Sequence, residues 1–147
     1  KIMRRLFTLL LTAMLATTIA FAQADKIVGV YKSVHEGNTS KIQISKVGDG
    51  YKAQVIWLEK LTNPDGTVKT DLKNPDKSKR NTPADKIVVI EKITYNAKKN
   101  QWDNGKIYEP TSGKSWTVTC SFKDEKTLKV RGSLGPFGKS VYWTKIE

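Results

Sequence analysis

The sequence has little of what most catalytic and metal centres require. Its 147 residues include one cysteine, Cys120, and one histidine, His35. A disulfide needs two cysteines, and a structural zinc site needs about four Cys or His ligands, so neither can be built from this sequence. It also lacks a G-x-S-x-G motif, a phosphate-binding glycine loop and calcium-loop spacing. We therefore predict no metal, no cofactor and no enzymatic activity.

The two scarce residues have ordinary structural interpretations. His35 begins a polar stretch, His35-Glu36-Gly37-Asn38, that is typical of a solvated turn. Cys120 alternates with Trp116 and Val118, which is the pattern of a small side chain in a core. A nucleophilic thiol would need a nearby base and a wet, electropositive site, and nothing in the sequence brings His35 there.

The first 24 residues differ in composition from the rest. Three basic residues lie within the first five positions, and an uncharged apolar run follows from Leu6 to Phe21, ending in small residues at Ala22 and Ala24. This order is typical of a secretory signal peptide. The alternative is a membrane anchor, but a spanning helix needs about 20 apolar residues. We predict a signal peptide over 1–24, a single domain over 25–147, and an exported protein that is periplasmic or secreted.

The remaining chain is basic and rich in lysine. Without the three basic residues of the leader, 23 Lys and Arg stand against 14 Asp and Glu, and only Arg80 and Arg131 are arginines. Lysine is a hydrated point charge that favours solubility and loose attraction to anionic surfaces of the cell envelope. Export and the absence of clustered arginines and aromatics argue against nucleic-acid binding.

The pattern after residue 25 is that of β-strands. Residues 41–47 alternate strictly between apolar and polar, and residues 115–122 do the same. Turns rich in Gly, Pro and Asn separate the strands, which favours a closed antiparallel barrel or a sandwich. Strands are predicted at 27–33, 41–47, 51–58, 87–95, 101–108, 115–122, 127–132 and 140–146.

The segment 59–86 interrupts this rhythm, because it has no aromatic residue and few apolar ones. A loop of this length is usually functional or flexible. It is interpreted either as a lid over one barrel mouth or as a mobile surface insertion. Asp71 and Asp76 within it could form a carboxylate pair for acid–base chemistry, but Asp and Asn beside Pro more often cap turns, and we favour capping.

Large aromatic side chains are the strongest indication of a ligand site. Alternation places Trp57 on one face with Tyr51 and Val55, and places Trp116 on another inward face. Both could line a cavity, whereas Trp102 and Trp143 are expected to fill the core. The candidate ligand-binding residues are Trp57, Trp102, Tyr108, Trp116, Asp71, Asn74, Asp76, Arg80 and Arg131.

Three blocks of the sequence are distinctive: Asp71-Leu72-Lys73-Asn74-Pro75-Asp76 followed by Arg80, Trp102 to Lys114, and Leu128 to Gly132 with Trp143-Thr144-Lys145. In this order they resemble the D-x-x-NPD…R stretch, the W-x-GGKIYDP-x-xGK block and the LKVRG…WTR ending of the DUF2147 family. These are small exported bacterial proteins of unassigned function. Departures include Asn104 for Gly and Lys145 for Arg.

The family in turn resembles lipocalin-like barrels, in its G-x-W start, here Gly29-Val30-Tyr31, and in its closing aromatic and basic strand. This resemblance implies an all-β, up-and-down antiparallel barrel of about eight to ten strands. It also implies that Arg131 packs across Trp143 at the barrel end, although Arg131 could instead pair with an acid such as Asp71.

These observations favour an extracytoplasmic protein that binds a small apolar or amphipathic ligand in the barrel. Lys69, Lys73 and Arg80 would give the mouth a positive rim, which favours an acidic head group such as that of a fatty acid. The alternative is a non-enzymatic envelope protein that interacts through a Lys-rich surface. The sequence does not predict an oligomeric state.

Overall fold

The computed structural model describes Met3 and residues 18–147. Residues 18–25 are helical, and the prediction of a signal peptide over 1–24 falls mostly on residues outside the described part. Two short 3-10 helices, Lys77–Lys79 and Ala84–Lys86, lie between the third and fourth strands. The eight strands are β1 (Gly29–His35), β2 (Asn38–Val47), β3 (Gly50–Leu58), β4 (Val88–Asn96), β5 (Gln101–Glu109), β6 (Lys114–Phe122), β7 (Thr127–Leu134) and β8 (Phe137–Lys145).

Each strand pairs antiparallel with the next, and β8 returns to β1, so the sheet closes into an up-and-down barrel. This confirms the all-β antiparallel barrel that the sequence predicts, with eight strands. Closure pairs the two terminal strands of the sheet, β1 and β8, at Tyr31–Lys145 and Lys32–Thr144. Among the described residues, no helix is both long and apolar enough to cross a bilayer.

Because the strands run alternately up and down, their connections fall at two ends. We call the end that carries the turns after β2, β4 and β6 the base, and helix 18–25 leads into it. We call the other end the mouth. The mouth carries the connections after β1, β3, β5 and β7, which include the long segment 59–87.

The base is filled with side chains. Ile27 is fully buried there, and its backbone carbonyl accepts a hydrogen bond from the Tyr31 hydroxyl at 2.8 Å. The Trp102 indole nitrogen donates to the Ala24 carbonyl at 3.0 Å, and its ring packs on Tyr95 and Phe122. The chain that enters β1 therefore plugs this end of the barrel.

Candidate ligand-binding site at the mouth

Inward-facing side chains differ sharply between the two ends. From the base to mid-barrel, inward residues such as Trp143, Leu128 and Tyr51 have no more than 3 % of their surface exposed. Towards the mouth, the inward positions other than the buried Ser33 are only partly buried or exposed, although strand alternation directs them to the barrel interior. We call the space that they border the cup, and its lining comprises Leu58, Ile107, Trp116 and Val141, with the smaller Ser33, Ser40 and Gly132.

Trp116 is the aromatic wall of the cup. It stands opposite Ile107 on β5, and its neighbour Val118 is paired with Gly132 on β7. A Cβ atom at Gly132 would lie 3.3 Å from the Cβ of Trp116 and 3.6 Å from its Cγ. The same Cβ atom would lie 3.6 Å from Cγ2 of Ile107, so the absence of a side chain at Gly132 lets both the indole and Ile107 lie against β7. The predicted inward orientation of Trp116 is confirmed.

The rim of the cup is polar. His35 ends β1 and Glu109 ends β5, on opposite walls of an eight-stranded barrel, yet His35 Nε2 lies 3.8 Å from Glu109 Oε1. Glu109 also accepts a hydrogen bond from the Ser112 hydroxyl at 2.5 Å. His35 is thus part of a group that spans the mouth, and its Nε2 is shielded from solvent without a hydrogen-bond partner. The His35 side chain is 40 % exposed and precedes the exposed residues Glu36 and Gly37, as the sequence indicates, but the contact with Glu109 is not foreseen from the sequence.

Two lysines stand on the inner side of the rim by strand alternation. Lys114 pairs with Glu109, and Lys139 pairs with Gly132, both at positions that continue the inward set. Both are exposed. The rim therefore offers cationic groups above an apolar lining, which suits a ligand with an apolar body and an anionic head.

Trp57 is not part of the cup, so its predicted inward orientation is wrong. Ile42 pairs with Val55 but Lys41 pairs with Trp57, which leaves Ile56 as an extra residue in β3. Such a bulge reverses the alternation after it. Trp57 consequently points outwards, 43 % exposed and with the Lys41 ammonium 5.8 Å from its ring centroid, and Leu58 takes the inward position.

Five predicted site residues come together, but on the outer wall and not in the cup. Tyr108 pairs with Ser115 on the outward face of β5, and its hydroxyl donates to the buried Asp71 carboxylate at 2.6 Å. Asn74 donates to the other Asp71 oxygen at 2.7 Å, and the Arg80 guanidinium donates to the Asn74 carbonyl at 2.8 Å. Asp76 caps the first 3-10 helix by accepting from the Ser78 backbone and hydroxyl, as the capping interpretation predicts.

Segment 59–86 was interpreted as either a lid over one barrel mouth or a mobile surface insertion, and for residues 71–80 the structure corrects both interpretations. Lys79 lies 3.6 Å from Glu91 on β4, and the Lys73 ammonium donates to the Thr111 carbonyl at 2.7 Å. The 71–80 stretch is therefore fastened against β4 and β5, neither crossing the mouth as a lid nor hanging free. Burial, helped by the Asp71 carboxylate, raises the pKa of Tyr108 and keeps its hydroxyl a donor.

Arg131 takes neither of its two predicted positions. It points outwards from β7, and its guanidinium lies directly over Gly138 on β8. Trp143 points inwards and Asp71 is held by Tyr108, so neither is its partner. Two lysines lie over aromatic rings at the base: the Lys145 ammonium is 5.8 Å from the Tyr31 ring centroid and donates to the Lys26 carbonyl at 2.8 Å, and the Lys26 ammonium is 4.9 Å from the Phe122 ring centroid.

Trp102 fills the base, which excludes it from the cup. Cys120 is also buried, as predicted, and burial raises the pKa of its thiol to about 12. In the part of the chain that the structure describes, no three His, Cys, Asp or Glu side chains are grouped so that they could hold a metal ion.

Several cup and rim residues were missed from the sequence. Leu58 was hidden by the bulge at Ile56, which no turn residue signals. Lys114 lies where the inward alternation of β6 continues to the turn, so the alternation itself could have placed it at the rim. Glu109 follows a second register shift, between Trp102 and Gly105 of β5, and alternation counted from Trp102 would instead have placed Tyr108 inwards. The approach of His35 to Glu109 depends on the barrel's closure, which sequence spacing does not encode.

A closed antiparallel barrel of eight strands, filled at the base and accessible at the mouth, is the architecture of lipocalin-like proteins. A solved structure described as protein HP1028 from the human pathogen Helicobacter pylori, which belongs to the lipocalin family, superimposes with a TM-score of 0.66. The two sequences are 23 % identical, over 82 % of this chain and 83 % of that one. This likeness establishes the fold.

The family assignment comes from the sequence profile. Residues 29–145 match DUF2147, described as an uncharacterized protein conserved in bacteria, so the chain belongs to this family. The resemblance seen in the three sequence blocks is thereby confirmed. No curated protein matches the sequence.

Proposed function

We propose that this protein is a non-enzymatic, exported carrier that binds a small amphipathic molecule in the cup, apolar end inwards. The observation that carries the proposal is the contrast between the filled base and the partly exposed inward side chains at the mouth. A barrel whose only task was stability would gain by burying Trp116 and Ile107 fully, since each buried apolar side chain contributes about 1.5–3 kcal/mol.

The rim supports an anionic head group. Lys114 and Lys139 replace the predicted rim of Lys69, Lys73 and Arg80, because Lys73 and Arg80 donate to backbone carbonyls of the outer wall. A carboxylate above Trp116 would meet cations on both β6 and β8. A fatty acid, with one carboxylate and an apolar chain, fits this combination of lining and rim.

The test is titration of the chain from residue 23 with a fluorescent fatty-acid analogue. We expect saturable binding with energy transfer from tryptophan, and Gly132→Val should weaken binding at least tenfold because the new side chain displaces Trp116 into the cup. Ser133→Val, one position along the same strand and facing outwards, is the matched control and should bind normally.

Trp116→Phe should remove most of the energy transfer, whereas Trp57→Phe should leave it unchanged. If no apolar probe binds at high micromolar concentration, or if Ser133→Val weakens binding as much as Gly132→Val, the carrier proposal is wrong. Native mass spectrometry of protein purified from its own host would then show no co-purified ligand.

A further inference from the structure

The face formed by β7, β8 and β1 has a composition unlike the opposite wall. We propose that this face and the tip of the β7–β8 hairpin dock the barrel onto an anionic lipid bilayer. The inference goes beyond the proposed carrier function and does not depend on it, since a barrel can bind a membrane whether or not its cup holds a ligand.

The first observation is apolar exposure at the hairpin tip. Leu134 and Phe137 face each other across the turn between β7 and β8, and they are 66 % and 79 % exposed. Neither contacts the core cluster, which ends at Val130 and Val141 on these strands. Two large apolar side chains held on a projecting hairpin are suited to insertion between lipid head groups.

The second observation is charge. Strands β7, β8 and β1 contain no Asp or Glu, and they carry the cations Lys32, Lys129, Arg131, Lys139 and Lys145. The opposite strands β4 and β5 carry the acids Glu91, Asp103 and Glu109 together with the cations Lys92 and Lys106, so their charges nearly cancel. The barrel wall is therefore electrically polarised, with its cationic side next to the apolar tip. The Arg131 guanidinium lies over Gly138 on the outer face, one residue along β8 from Phe137.

The third observation is an incomplete seam at the same place. Strand β1 pairs with β8 only at Tyr31–Lys145 and Lys32–Thr144 within the described strands. If the pairing of β1 with β8 continued in this register, Val34 would stand opposite Tyr142. Both side chains are at least half exposed on the outer face. The wall thus loses its ladder towards the mouth, and this gap, bordered by apolar side chains, would open the cup sideways to a lipid surface.

A bilayer suits these features better than a folded acidic partner does. Leu134 and Phe137 stand at the mouth end of the hairpin, and Val34 and Tyr142 stand on the outer wall, so these exposed side chains match a fluid surface into which they can insert. Lysines and an arginine spread over three strands match the diffuse negative charge of anionic head groups. We therefore commit to an anionic bilayer as the occupant.

The experiment is co-sedimentation of the chain from residue 23 with phosphatidylcholine vesicles, with and without phosphatidylglycerol. We expect binding only to the anionic vesicles, weakened by added salt because the attraction is screened. Phe137→Ser should lower the partition coefficient by about tenfold or more. Arg131→Gln and Lys129→Gln should each lower it by about fivefold.

Matched controls lie at the base of the barrel. Val47→Ser removes an exposed apolar side chain and Lys98→Gln removes an exposed cation, both at turns of the base, and neither should change binding. As a direct reporter, tryptophan emission should shift to the blue on anionic vesicles in Phe137→Trp but not in Val47→Trp.

Three outcomes would overturn the proposal. One is equal binding to vesicles with and without phosphatidylglycerol, or no binding to either. Another is an equal loss in Phe137→Ser and Val47→Ser, which would indicate a general effect of surface polarity. The third is a dimer in native mass spectrometry that Phe137→Ser dissociates, since the tip would then be covered by a second copy of the chain.

Discussion

The base and the mouth of this barrel are built from the same eight strands, yet one end is packed and the other is accessible. At the base, Trp143 packs on Tyr31, Trp102 packs on Tyr95 and Phe122, and the chain before β1 closes the remaining space. At the mouth, the inward set includes the small residues Ser33, Ser40 and Gly132, and the side chains that approach each other across it are the polar His35 and Glu109. The size of the inward residues, and not the topology, thus separates a core from a site.

The sharpest test of this comparison removes one tryptophan from each end. Trp143 is buried against Tyr31, with ring centroids 6.4 Å apart, and Trp143→Ala should lower the free energy of unfolding by about 3–5 kcal/mol. Trp116 is only partly buried, so Trp116→Ala should cost less than about 2 kcal/mol. Urea unfolding measures both, and equal losses would mean that the mouth is packed like the base.

Sequence reasoning predicted the base better than the mouth, for a physical reason. Strict alternation identifies inward residues such as Val118 and Cys120 wherever the pairing is regular. It fails after a bulge, as at Trp57, because a single extra residue reverses the faces without changing composition. The family blocks were assigned correctly, but Asp71, Asn74 and Arg80 from one of them hold a loop to the outer wall. The spacing of these residues in the sequence does not show whether they fasten a loop or line a pocket.

The next test concerns the outer wall, where Tyr108 and Asp71 fasten the long segment to β5. Tyr108→Phe removes a 2.6 Å hydrogen bond and leaves the buried Asp71 carboxylate with one partner fewer, so we expect a loss of about 1–3 kcal/mol of stability. Ligand binding in the cup should be unchanged. Tyr142→Phe, whose side chain is half exposed, is the control and should cost almost nothing; thermal unfolding of both variants gives the comparison.

A smaller effect is expected where the chain enters the base. The Ala24 carbonyl accepts from the Trp102 indole, and the Gln23 side chain reaches Asn100 at 3.4 Å. Cleavage of the predicted leader after Ala22 would keep these bonds, whereas cleavage after Ala24 would remove them. We therefore propose Gln23 as the mature terminus, and we expect a chain starting at Asp25 to be about 1 kcal/mol less stable.

Mass spectrometry of the exported protein identifies that terminus directly. In the Trp102→Phe background, the chains that start at Gln23 and at Asp25 should differ less in free energy of unfolding, because phenylalanine has no donor for the Ala24 carbonyl. A mature protein that begins at Asp25 and is as stable as the longer chain would show that the plug does not depend on this bond.

The smallest expected effect on stability is at Trp57. This tryptophan lies outside the barrel, so it contributes neither to the packed base nor to the cup. Its ring lies outside β3 beside Lys41, so Trp57→Ala should change the free energy of unfolding by no more than about 0.5 kcal/mol. It should also leave binding of the fatty-acid analogue unchanged. Leu58→Ala, the adjacent inward position, should weaken binding measurably. If Trp57→Ala weakened it and Leu58→Ala did not, the bulge at Ile56 would be misplaced and Trp57 would line the cup after all.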